Sequence, residues 1–174
     1  MPLFFQNAVR SAEGYPGPSD WTSGSTKQVI LHPRHQALEI DRSYFGPQHP
    51  AVAIGLDTLG AVLFAQHNYQ DAETFFNQAL AISEKSHGGK HPDTADALSN
   101  LAELYVAEHR YPEAATALKR VIDIREAVFG SNSKGLIGAL EAYSRLMRKM
   151  QDYAEAEKAD VRALGIQVSN SLRP

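Results

Sequence analysis

The chain is expected to be all-α, a solenoid of antiparallel helix pairs, and two observations carry that reading. It repeats itself every 42 residues: Tyr69, Ala72, Ala79, Leu80, Ile82 and Gly88 return as Tyr111, Ala114, Val121, Ile122, Ile124 and Gly130. Most return again as Tyr153, Ala156, Ala163, Leu164 and Ile166. The upstream half repeats as well, Ala53, Leu56, Leu59, Gly60 and Leu63 becoming Ala95, Leu98, Leu101, Ala102 and Tyr105. A fixed period in this range marks supersecondary units that bury their apolar faces against one another. Within each unit the apolar residues recur three, four and seven apart, the spacing of amphipathic helices.

The elements follow in order. Residues 1–26 are punctuated by Gly14, Pro16, Gly17, Pro18, Ser23 and Gly24, and read as a mobile arm. A repeat domain is expected over 27–168. It opens with half a repeat, since Ala37, Leu38 and Ile40 match Ala79, Leu80 and Ile82 while the preceding helix is missing. Pro33 is read as the start of this lone helix, which would expose Leu38 and Ile40 to the arm or to a second copy. In the first full unit Pro50 opens one helix and Tyr69 a second, which ends at Gly88 in a left-handed cap. The second unit runs from Pro92 to Ala107 and from Pro112 to Phe129. The third spans Lys134–Met150 and Asp152–Val168, with Ser133 as N-cap. In this last unit Asp160 replaces Phe76 and Leu118, as a polar end cap would require. A frayed tail is expected over 169–174. Gly60 and Ala102, opposite Ala72 and Ala114, are read as small residues that let paired helices approach.

Composition narrows the function. The net charge of −3 gives no general attraction to nucleic acid or anionic membrane. Residues 1–132 hold 10 basic and 15 acidic side chains and residues 133–174 hold 7 and 5, so the charge runs from −5 to +2 along the chain. Cysteine is absent, which excludes disulfides, thiolate metal sites and a cysteine nucleophile. No apolar run approaches the length of a membrane span, the start lacks the features of a secretory signal, and the cytoplasm is the default location. No phosphate-cradling loop, nucleophile elbow or zinc-protease spacing occurs, so no catalysis and no cofactor are expected.

The pattern Leu56-x-x-Leu59-Gly60-x-x-Leu63, followed by Tyr69-x-x-Ala72-Glu73, Phe76 and Ala79-Leu80, resembles a tetratricopeptide repeat. The usual period there is about 34 residues. The connector Gly88-Gly89-Lys90-His91-Pro92-Asp93-Thr94-Ala95 is similar to the longer repeats of kinesin light chain and its bacterial relatives. That resemblance, over about residues 34–168, implies a right-handed superhelix whose first helices line a concave groove for a peptide or partner domain. Carried over by position, the groove residues are Asp57 and Phe64 in the first unit and Asp96, Asn100, Glu103 and Val106 in the second. In the third they are Arg145, Arg148 and Lys149. Asn100 matches the asparagine that light-chain-type repeats turn toward ligand backbone; Thr58 and Ala142 stand at the equivalent places, so one rung of that ladder is present.

The chemistry of these positions agrees with peptide binding. An amide offers a donor and an acceptor to an extended backbone, and arginine suits forked recognition of carboxylates. Asp57, Asp96 and Glu103 make the other end of the groove acidic. Each residue is also compatible with a solvated helix face. His87 and His91 straddle Gly88-Gly89, but His91 repeats His49 and no metal-site spacing supports them, so no metal is expected. Ser19-Asp20-Trp21 in the arm resembles the acid-flanked tryptophan that kinesin light chains bind, and so suggests an internal pseudo-ligand.

The expected function is a non-catalytic protein-interaction module that holds a peptide or helical segment of a partner protein in its groove. The runner-up is a structural element that forms a homo-oligomer through the N-terminal half repeat. A third reading is a fragment of a longer array joined to an enzymatic or signalling domain.

Overall fold

The computed structural model describes the backbone of residues 26–172 and the side chains of residues 34–172. The expectations for the arm over residues 1–25, Trp21 included, lie outside the described residues. The described chain is a right-handed superhelical solenoid of antiparallel helices: α1 (Thr26–Phe45), α2 (Pro50–Ala65), α3 (Tyr69–His87), α4 (Pro92–Ala107), α5 (Tyr111–Phe129), α6 (Ile137–Lys149) and α7 (Tyr153–Ser171). Each helix packs on the next in sequence, and α2 also touches α4. The pairs α2–α3, α4–α5 and α6–α7 are the three full repeats, and α1 is the preceding half.

Punctuation sets the ends of these helices. Pro50 and Pro92 occupy first turns, and the ring Nδ1 of His49 or His91 accepts the backbone N–H two residues on. Ser133 does the same for the third unit through its hydroxyl, over a 3-10 turn at Lys134–Leu136 that delays α6 to Ile137. Gly46, Gly88 and Gly130 have φ near +87°. At Gly88 ψ is 163°, so the expected left-handed cap is instead a conformation open to little but glycine. Inside each unit the turn places a non-glycine residue in the left-handed region: His67, His109 and Gln151 at φ 61–63°. The Nδ1 of His67 and of His109 pairs with the hydroxyl of Tyr69 or Tyr111 at 2.9 and 2.8 Å, which gives these two histidines a structural task.

Three further expectations need correction. Helix α1 begins at Thr26, and Pro33 lies within it; proline removes one backbone donor and does not have to end a helix. Leu38 is 1% exposed, not open. Its Cδ1 lies against Gly55 of α2, which has no side chain to keep it away. Helix α7 continues to Ser171, past Val168.

The core is a continuous band between the pairs. One cluster gathers Leu56, Leu59, Phe76 and Ala79 with Leu101 and Leu104 of the following unit. The next gathers Leu118, Val121 and Ile124 with Leu140, Tyr143 and Ile166. Burying such side chains contributes roughly 1.5–3 kcal/mol each, which offsets the ordering of the chain. In the third unit Asp160 is half-buried and bound by Arg148 of α6. Ser144, at the register of Gly60 and Ala102, is fully buried, and its hydroxyl has no partner among the described residues.

Candidate partner-binding groove

The first helices of the units, α2, α4 and α6, present the residues that packing leaves over. Their apolar stripe is committed to α3, α5 and α7, so the remaining face is free to carry charge. Asp57 on α2 and Asn100 on α4 meet across the unit boundary, the amide Nδ2 donating to the Asp57 carboxylate at 3.2 Å. Burial raises the Asp57 carboxyl to about 6, the bond from Asn100 opposes that rise, and the negative charges of Asp96 and Asp93 add to it. Asp96, one turn before Asn100, is exposed and accepts from Arg125 at 3.0 Å. Glu103 is exposed and forms no ion pair among the described residues. This face of α2 and α4 is therefore acidic, with one carboxyl raised to about 6.

Phe64 and Val106 occupy equivalent places near the ends of α2 and α4. Both are half-buried against the core, and Phe64 lies 5.6 Å from the ring of Tyr69. They present part of an apolar wall, with the rest of each side chain used in packing. Arg145, Arg148 and Lys149 are exposed on α6. Their commitments differ: Arg148 is bound by Asp160, and the Lys149 ammonium sits 6.0 Å from the centre of the Tyr111 ring. Arg145 makes no ion pair among the described residues.

Two features escaped the sequence reading. Arg110 gathers Glu73 of the preceding unit, Glu108 and Glu113 at 2.9–3.1 Å, and lies 4.3 Å over the Tyr105 ring. The hydrogen bond to Glu73, then those to Glu113 and Glu108, push the guanidinium further toward its charged form. The signal was present: Arg110 stands where the other units have Asn68 and Asp152. The second is a pair of ion pairs between consecutive second helices, Arg120 with Glu84 and Arg162 with Glu126. Both tie neighbouring units on the side of the second helices. Among the described residues no helix is long and apolar enough to cross a membrane.

Comparison with known proteins agrees with this fold. A tetratricopeptide repeat family model matches residues 34–85 and 56–127, together more than half of the chain. No curated protein matches. The crystal structure of BtubC (BKLC) from P. vanneervenii aligns with 85% of this chain at a TM-score of 0.78 and 18% identity. The chain spans 59% of that protein's length. Two crystal structures of kinesin light chain nearly identical TPR-like repeats from Podosopora anserina, one of them carrying a point substitution, align with 84% of this chain at 20% identity. Their TM-scores are 0.71 and 0.70, over 69% and 70% of their own chains. At such identities the likeness is one of fold. The matched repeats place the sequence itself: the chain belongs to the tetratricopeptide repeat family.

Proposed function

We propose that this chain is a non-catalytic, cytoplasmic interaction module whose groove holds an extended or helical segment of a partner protein. One observation carries the reading: the charge left over on the first helices is polarised. Asp57, Asp96 and Glu103 stand on the first two units, and Arg145, Arg148 and Lys149 on the third, where they outnumber the one acid, Glu141, that stands at the register of Asp57. A segment with basic residues toward one end and acidic residues toward the other matches that order, and mismatched segments meet like charge. Arg145 is the strongest single anchor, because Arg148 and Lys149 already have partners. Asn100 can hold Asp57 with one N–H and offer its other N–H and its carbonyl oxygen to a ligand backbone.

Affinity capture from source-cell lysate tests this, comparing the wild type with an Asn100→Ala/Arg145→Glu variant of unchanged circular dichroism. Arg148 is kept, since its loss would leave Asp160 unpaired. A partner held by the wild type and released by the variant is the expected result. Equal capture by both would exclude the groove as the binding surface.

A further inference from the structure

The connector between the first and second full units carries side chains that the repeat does not call for. Three positions define each connector. The first is Phe45, His87 or Phe129; the second is His49, His91 or Ser133; the third is Ala51, Asp93 or Gly135. The fold asks the first position for a ring that packs on its neighbour, as Phe45 stacks on His49 at 4.5 Å. It asks the second for an acceptor that caps the next helix, which His49, His91 and Ser133 all supply. It asks nothing of the third, where the other connectors have alanine and glycine. An imidazole at 87 and a carboxylate at 93 are therefore additions, and they occur in the same connector.

The three side chains converge. The His87 and His91 rings stack with centroids 4.2 Å apart and planes 24° from parallel. Their Nδ1 atoms both face one carboxylate oxygen, Oδ2 of Asp93, at 3.2 and 3.5 Å. One ligand atom from each residue lies within 4.8 Å of the others. Two donors bound about 2.1 Å from a tetrahedral ion are about 3.4 Å apart, which is the separation between Asp93 and each histidine. The two rings have to turn out of their stack so that both Nδ1 lone pairs, which lie in the ring planes, point at one ion. The contacts given up are that stack and the His91 cap, already long at 3.3 Å.

We propose that His87, His91 and Asp93 form a binding site for a divalent transition-metal ion of the zinc class. Two imidazoles and one carboxylate are the donors such ions take, and three protein ligands leave a fourth position to water. The ion joins the last residue of α3 to the first turn of α4, and so clamps the junction between two units. His67 and His109, held by tyrosine hydroxyls in their own turns, take no part.

The test is a titration of the full chain with Zn²⁺ against a chromophoric chelator, repeated with Co²⁺ to read the visible bands of a tetrahedral site. Two variants restore what the neighbouring connectors carry, His87→Phe and Asp93→Ala, and so keep a connector the fold already uses. The expected result is one Zn²⁺ per wild-type chain, with at least about tenfold weaker binding in each variant and unchanged helical circular dichroism. No saturable binding by the wild type would overturn the proposal. So would equal affinity in the wild type and both variants, which would assign the ion to other histidines.

Discussion

Asp57 has a carboxyl raised to about 6 from 3.8, so it holds its proton more tightly in the folded chain than in the unfolded one. Ionising it therefore costs stability. Below pH 3.8 nothing is lost, the cost grows as the pH rises toward 6, and above that it is complete. At about 1.4 kcal/mol per unit the full shift amounts to roughly 3 kcal/mol, and partial contact with water brings this to about 2. Asp57→Asn keeps a partner for Asn100 and removes the charge. It is expected to raise stability by about 2 kcal/mol at about pH 7.5 and to leave it unchanged near about pH 3.5, read from denaturant midpoints at the two pH values. A gain of equal size at both would show that the carboxyl is not its source. The sequence placed Asp57 and Asn100 on one groove, but as independent groups. Their bond joins two helices in different units, and periodicity fixes which face a residue occupies without fixing the offset between helices. Arg148 and Asp160 were likewise read apart and are one ion pair.

The contact between the two helices of a unit is set by one small residue facing one large one. In the first unit a Cβ added at Gly60 would come within 2.6 Å of the Phe76 ring. At the same register the second unit has Ala102 and Leu118, both buried, and the third has Ser144 and Asp160. Gly60→Ala is therefore expected to destabilise the chain by about 1–3 kcal/mol through overpacking. Adding Phe76→Leu, which recreates the pair of the second unit, should recover much of that loss. A double-mutant cycle by denaturation measures it, and strict additivity of the two changes would exclude a shared contact. Prolines, glycines and the 42-residue register made the helix pairs legible. The 3-10 turn before α6 was not, because it depends on how a segment meets its neighbours and not on any one residue type. The left-handed turns at His67, His109 and Gln151 were hidden for a related reason, since none of them is glycine.

The first and the last of the described helices expose different positions of the same repeat. The position of Leu38, Leu80, Ile122 and Leu164 packs toward the following unit: Leu38 and Ile122 are buried, and Leu164 is 58% exposed. The position of Ile40, Ile82, Ile124 and Ile166 packs within its own unit, and only Ile40, whose unit is half a repeat, is open at 64%. The ion pairs between second helices stop at the same place, for Val168 stands where Glu84 and Glu126 receive arginine. With Val161 and Leu172, also exposed, Leu164 and Val168 leave an apolar stripe along α7, so the polar cap read from Asp160 covers only part of that end. One side-chain position should thus have opposite weights at different points of the array, as nearest-neighbour energetics of repeat proteins require. Ile122→Ala is expected to cost about 2–4 kcal/mol, the usual loss for a filled core site. Leu164→Ala, one repeat later, should stay within about 0.5 kcal/mol, both read from chemical denaturation of dilute protein. The contrast also reports on the apolar stripe of α7 in solution. A cost at Leu164 that grows with protein concentration would mean that a second copy covers the stripe, because association stabilises by mass action, whereas a small cost at every concentration leaves α7 facing water.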